Sequence, residues 1–196
     1  HSQVIDGRDT STSTRSNPME VAIRAVNWLW ALALLDGAPQ WSTEWRGRSH
    51  ASLHQHGVFL EYNLEVGVRS GVIVAGNHYL ANLCGLACLG ICCTGQAPQR
   101  WREVGLRGLE QEIRRQVLDD GFYFEGSTSY HRLAVELFLV PAVLCRHVGQ
   151  TLSDGYWSRL EQMIEVIGYL TGPDGAVPQI GDNDDGRLVI LDGYPD

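Results

Sequence analysis

Lysine is absent from this chain: all 15 basic residues among its 196 are arginines. A guanidinium keeps its proton near neutral pH, so a lysine general base and Schiff-base chemistry are both excluded. Long apolar runs are missing as well. The longest candidate, Leu133 to Cys145, is broken by Glu136 and Pro141, and a membrane-spanning helix needs roughly 18 apolar residues. No basic segment followed by an apolar one opens the chain, so no signal peptide is read there. A chain beginning on His1 reads as a processed or excised piece, which leaves its compartment open. Positive charge is also in deficit, at a formal −8, and a nucleic-acid partner is therefore not expected. The five cysteines lack the CxxC spacing of a zinc site. Cys84, Cys88 and Cys92 recur every fourth residue and read as small core residues on one helix face, not as a disulfide framework.

What is present is enough apolar matter, 44% of residues, for one domain with a sizeable core. Residues 1–16 are polar, Ser/Thr-rich and without periodicity, and read as a tail. "SNPMEVAIRAVNWLWALALLDG" then starts a helix, with Asn17 as cap, Pro18 at the first position and Glu20 in register for a capping box. Helical spacing predicts further helices over about 49–65, 77–94, 98–118, 129–148 and 153–171, the fifth kinked at Pro141. Ser127 or Thr128 suits the fifth as a cap, and Ser153 or Asp154 the sixth. The expected fold is all-α, antiparallel helical hairpins over 17–172. Residues 173–196 change to turn residues and then "RLVIL", which reads as a strand without a partner in this chain.

Four polar places stand out. Asn17, Glu20, Arg24 and Asn27 share one side of the first helix, as a solvated face or as a substrate-side wall. Asn77 and His78 open the very apolar third helix. Asn77 fits a cap, but a neutral imidazole in the first turn suits contact with an anion or a moving proton. "DDGFYFEGSTSYH" crowds Asp119, Asp120, Glu125, Tyr130 and His131 into a loop that leads into a helix. "HASLHQH" places His50 and His54 one turn apart, without the carboxylate register of HExxH, so a packing role outweighs a metal site.

"NPMEVAIRAVNWLWAL", "GNHYLANLCGL", "DGFYFEGSTSYH" and "PQIGDNDDGR", in this order, resemble the heparinase II/III-like polysaccharide lyases, related to the alginate lyases of the same broad fold. The resemblance implies part of an (α/α) toroid, with 173–196 as linker and first strand of an absent β-sandwich. Asp182, Asp184, Asp185 and Arg187 would lie at that junction. It implies β-elimination in a uronate-containing anionic polysaccharide, a periplasmic or secreted setting, and neither cofactor nor metal. Asn77 and His78 would neutralise the uronate carboxylate and Tyr130 would be the catalytic acid/base. Arg24, Asn27, Glu125 and His131 would bind substrate, and Arg24 or Arg132 would supply positive charge near the phenol. Two other readings stay open: an (α/α) glycoside hydrolase using Asp120 and Glu125, and a non-catalytic helical carbohydrate-binding or scaffold fragment. The net charge of −8 repels an anionic polymer at long range, which a local arginine-lined cleft overrides.

Overall fold

The computed structural model describes residues 17–39, 41–69, 72–183 and 186–190. The expected tail over 1–16, Asp184, Asp185 and the end of the expected strand lie outside them.

Helix α1 (Pro18–Leu34) starts where its cap predicts, with the Asn17 side chain accepting from the Met19 amide at 3.0 Å. Helix α2 (Thr43–Tyr62) begins earlier than apolar spacing suggests, because Ser42 caps it through the Trp45 amide and its first turns are polar and exposed. Its buried residues Ser49, Leu53, Gly57 and Leu60 still recur at helical spacing. Next comes an element absent from the sequence reading, a hairpin of β1 (Gly67–Arg69) and β2 (Val72–Val74), paired antiparallel with Gly67 opposite Val74. Strands of three residues are too short to show a period. Helices α3 (Asn77–Cys92), α4 (Gln96–Gln116), α5 (Thr128–His147) and α6 (Asp154–Leu170) follow. Ser127 and Ser153 cap the last two, and α5 runs on through Pro141.

Helix α3 is the axis of the array. Every residue from Leu80 to Gly90 is buried, and the helix packs on α1, α2, α4 and α5. Cys84 and Cys88 lie in this core as free thiols, whereas Cys92 reaches the surface. The α3–α4 seam depends on glycine. A Cβ at Gly90 would run into the backbone of Arg102, and one at Gly105 into the backbone of Ala87. The two helices thus meet main chain to main chain, which only the smallest residue allows.

The C-terminal stretch 186–190 forms neither helix nor paired strand among the described residues. Leu188 is buried, and its backbone is bonded on both sides by side chains. Its amide donates to Glu136 Oε2 and its carbonyl accepts from Asn27 Nδ2, each at 2.7 Å. Upstream, Thr128 Oγ1 donates to the Pro178 carbonyl and Ser127 Oγ to the Asp182 carbonyl, so the segment is laid along the start of α5.

Candidate active site

The N-terminus of α3 has an unusual cap. Gly76 occupies the cap position and offers no side chain, and Asn77 is the first helical residue, not the cap its identity suggests. Glu125, 48 residues on, does the capping. Its Oε1 accepts the Asn77 amide and its Oε2 accepts Asn77 Nδ2, both at 2.9 Å. Gly76 makes room for this: a Cβ there would lie 2.5 Å from Glu125 Oε1.

The loop after α4 delivers Glu125. Asp120 accepts the Phe122 amide, Gly121 turns the chain at φ 84°, and Val117 bridges Tyr123 antiparallel. Tyr123 is thereby sealed inside, with its hydroxyl 2.7 Å from Gln116 Oε1 and 3.3 Å from Glu125 Oε1. Gln116 in turn donates to the buried Glu112, which Arg115 pairs. Burial first, and then the Glu125 charge, push the Tyr123 phenol far up, so it stays a neutral donor.

His78, beside Asn77, faces outward with about half of its side chain exposed, 51%. Its Nδ1 lies 2.9 Å from Glu65 Oε1. Asn82, wholly buried, holds that carboxylate. Its Oδ1 accepts the Glu65 amide at 2.8 Å and its Nδ2 donates to Glu65 Oε2 at 3.2 Å. Glu65, Glu112, Gln116 and Tyr123 escaped the sequence reading. Glu65 sits past the end of α2 in a loop with no motif, and only the fold brings it to His78.

Tyr130 lies in the first turn of α5, half-buried against the core, with its amide bonded to Ser127 Oγ. Its neighbour His131 is fully buried. Its Nδ1 accepts the Tyr123 amide at 3.0 Å, Nε2 donates to the Met163 carbonyl at 2.9 Å, and Phe122 stacks on the ring. This corrects the expected substrate-binding role for His131: both nitrogens are used by the protein and burial lowers the imidazole pKa. It is a structural histidine. Its bond nevertheless fixes the geometry of the site. Tyr123 bonds the start of α5, and Glu125, two residues on, bonds the start of α3. Two residues span at most about 7 Å, so Asn77, His78 and Tyr130 all stand at one end of the helical array.

The remaining candidates are placed differently. Asn27 is engaged by the Leu188 and Ile23 carbonyls, while Arg24 is exposed on the same helix. Arg132 reaches the Gly186 carbonyl and, with Ser129, Gln179 and Asn183, lines a cavity of about 210 Å³. Both Glu125 oxygens accept from protein donors at the start of α3, while Asp120 is exposed and accepts the Phe122 amide. His50 and His54 line a cavity with Cys92 and Cys93, but no group of three or more metal-ligating residues forms among the described residues. Although the residue reaches the surface, partial burial of the Cys92 thiol, reinforced by the Cys88 and Cys93 thiols, pushes it up to about 12.

The model of the heparinase II/III N-terminus family matches residues 6–192. The chain belongs to this family. A heparin-sulfate lyase of Pedobacter heparinus is 34% identical over 86 residues, 43% of this chain and 13% of that protein. The heparinase III crystal structure superposes with a TM-score of 0.69 at 22% identity, over 80% of this chain and 23% of that one. The heparan sulfate lyase HepC from Pedobacter heparinus gives 0.62 at 26% identity, over 82% and 24%. The six helices are thus the family's helical toroid portion, and the chain spans about a quarter of the length of these solved structures.

Proposed function

We propose that this chain carries the helical half of the active site of a polysaccharide lyase that cleaves uronate-containing anionic polysaccharide by β-elimination. The observation that carries the reading is the pair at the start of α3: an amide held by Glu125 and an exposed imidazole held by Glu65, at the same end of the array as the first turn of α5, which carries Tyr130.

The chemistry asks for this combination. The uronate carboxylate opposes removal of the C5 proton, since negative charge must build beside it. Asn77 and His78 donate hydrogen bonds to that carboxylate, and these strengthen as the charge grows. Tyr130, starting as the phenolate, takes the C5 proton; the electron pair left behind becomes the C4–C5 double bond as the C4–O4 bond breaks, and the phenol so formed holds the proton that O4 needs. Tyr130 protonates the departing O4. A phenol is an ordinary acid of pKa about 10, suited to giving a proton to an alkoxide. The substrate class also draws on the relatives, whose names mark them as heparin or heparan sulfate lyases. Residues 173–196 are then the linker to a β-sandwich that completes the site.

Tyr130→Phe in the full-length protein tests the assignment. Lyase activity, followed by the absorbance of the unsaturated uronate, is expected to fall at least about a hundredfold, the lower end of what a proton-transfer group contributes. A rate near wild type would rule Tyr130 out. Hydrolytic products without that absorbance would rule out elimination itself.

A further inference from the structure

Asn77 and His78 are adjacent in sequence, yet their side chains are gripped by two carboxylates from unrelated segments. We propose that Glu125 and Glu65 are positioning residues, Glu125 fixing which end of the buried Asn77 amide is turned toward it and which away, and Glu65 fixing which ring nitrogen His78 presents. The claim rests on the lyase reading for what the pair acts on, and on the geometry alone for how the pair is held.

A carboxylate accepts hydrogen bonds and donates none when ionised. Glu125 already takes the Asn77 main-chain amide on Oε1, so the side-chain group meeting Oε2 must be the NH₂ end. The amide therefore has one orientation: one N–H spent on Glu125, with the second N–H and Oδ1 on the other side. The Tyr123 hydroxyl, which gives its proton to Gln116 Oε1 at 2.7 Å, lies behind the same Oε1 at 3.3 Å. Asn82 applies the same logic to Glu65. Its Oδ1 can only meet the Glu65 N–H and its Nδ2 only Oε2, so Oε1 is left aimed at His78 Nδ1. An imidazole facing a carboxylate through Nδ1 carries its proton there. Nε2 is then the nitrogen turned to the substrate side. Both grips lie against well-anchored groups: Asn82 and Tyr123 are fully buried, and Gly76, lacking a Cβ, leaves room for the Glu125 carboxylate.

Glu→Gln at either position keeps size and removes the acceptor-only character, so the amide of Asn77 can flip and the His78 tautomers can mix. In the full-length protein, Glu125→Gln and Glu65→Gln are expected to lower kcat about tenfold or more, with KM changed less. The upper reference is the hundredfold loss from a displacement of about 1 Å. A double-mutant cycle separates orientation from general structure. Glu125→Gln in an Asn77→Ala background is expected to cause no further loss, and Glu65→Gln none in a His78→Ala background. Gly76→Ala, which crowds the Glu125 carboxylate, should reproduce the Glu125→Gln defect.

A substrate-free measurement decides the proposal even if wild-type protein eliminates nothing, a result that would overturn only the lyase reading. Nitrogen NMR of histidine-labelled protein should show His78 with a protonated Nδ1 in wild type and mixed tautomers in Glu65→Gln. The Asn77 side-chain amide protons should show one strongly bonded N–H that is lost in Glu125→Gln. Unchanged tautomer and amide signals in the variants, or losses that multiply in the double mutants, would overturn it.

Discussion

Along the α3–α4 seam, Gly90 and Gly105 let two helices touch backbone to backbone among buried Leu83, Leu86 and Ala87. At the end of the array, the starts of α3 and α5 are joined by carboxylates, amides and a buried phenol. The seam is held by shape and tolerates no added volume. The polar end is held by directional bonds, each specifying an orientation. Close packing makes a rigid platform, whereas hydrogen bonds to acceptor-only groups make one face of a side chain available and hide the other. A site built on the second needs the first beneath it.

The largest effect should come from breaking the seam. Gly105→Val places its side chain against the Ala87 backbone and the Leu83 carbonyl. It is expected to cost about 3 kcal/mol or more, at or beyond the upper end of typical overpacking, and to show as a large fall in thermal midpoint.

The next effect belongs to His131, where the two regions meet. His131→Phe strands the Tyr123 amide inside the protein and removes a second bond from the Met163 carbonyl, which lies within α6, and an unmet buried polar group costs about 1–3 kcal/mol. A pH dependence should disappear with it. Burial lowers the folded pKa of His131, outweighing the Met163 bond and the Asp120 charge, which pull upward. The unfolded chain therefore binds more protons in the window below its own value of about 6.5. The stability His131 contributes is present above that pH and is lost as pH falls through the folded pKa. Denaturation midpoints measured from pH 8 to pH 5 should decline less steeply in His131→Phe.

Asn27→Ala should cost about 1 kcal/mol, the worth of the hydrogen bond that Asn27 Nδ2 donates to the Leu188 carbonyl. It should also loosen the C-terminal stretch, read as faster amide exchange at Leu188. The smallest effect is expected on the outer surface. Arg48→Ala removes an ion pair to Glu44 whose side chains are 68% and 72% exposed, and such pairs contribute at most about 0.5 kcal/mol on a helix. A shift larger than the Asn27 effect would contradict the ranking.

The helices were legible because each advertises itself locally. Asn17, Ser127 and Ser153 are capping residues in the right places, and the apolar positions of α1, α3 and α4 recur at helical spacing. The start of α2 was less so, since its first turns are polar and its cap, Ser42, stands alone. The hairpin at 67–74 escaped because six strand residues carry too little pattern. Asn77, His78 and Tyr130 were singled out through their resemblance to a known family, and the fold brings them to one end of the array. His131 and Glu125 looked like equal partners in the same motif, yet both serve the protein from within.

Sequence by itself determined the helical content and the apolar central helix, because caps, period and residue type act over a few neighbours. Tertiary structure alone decided which polar residue meets which. Glu125 reaches Asn77 across 48 positions and Glu65 reaches His78 across a hairpin. Such pairings depend on where the chain returns in space, and no local pattern encodes a hydrogen bond between segments that only packing brings together.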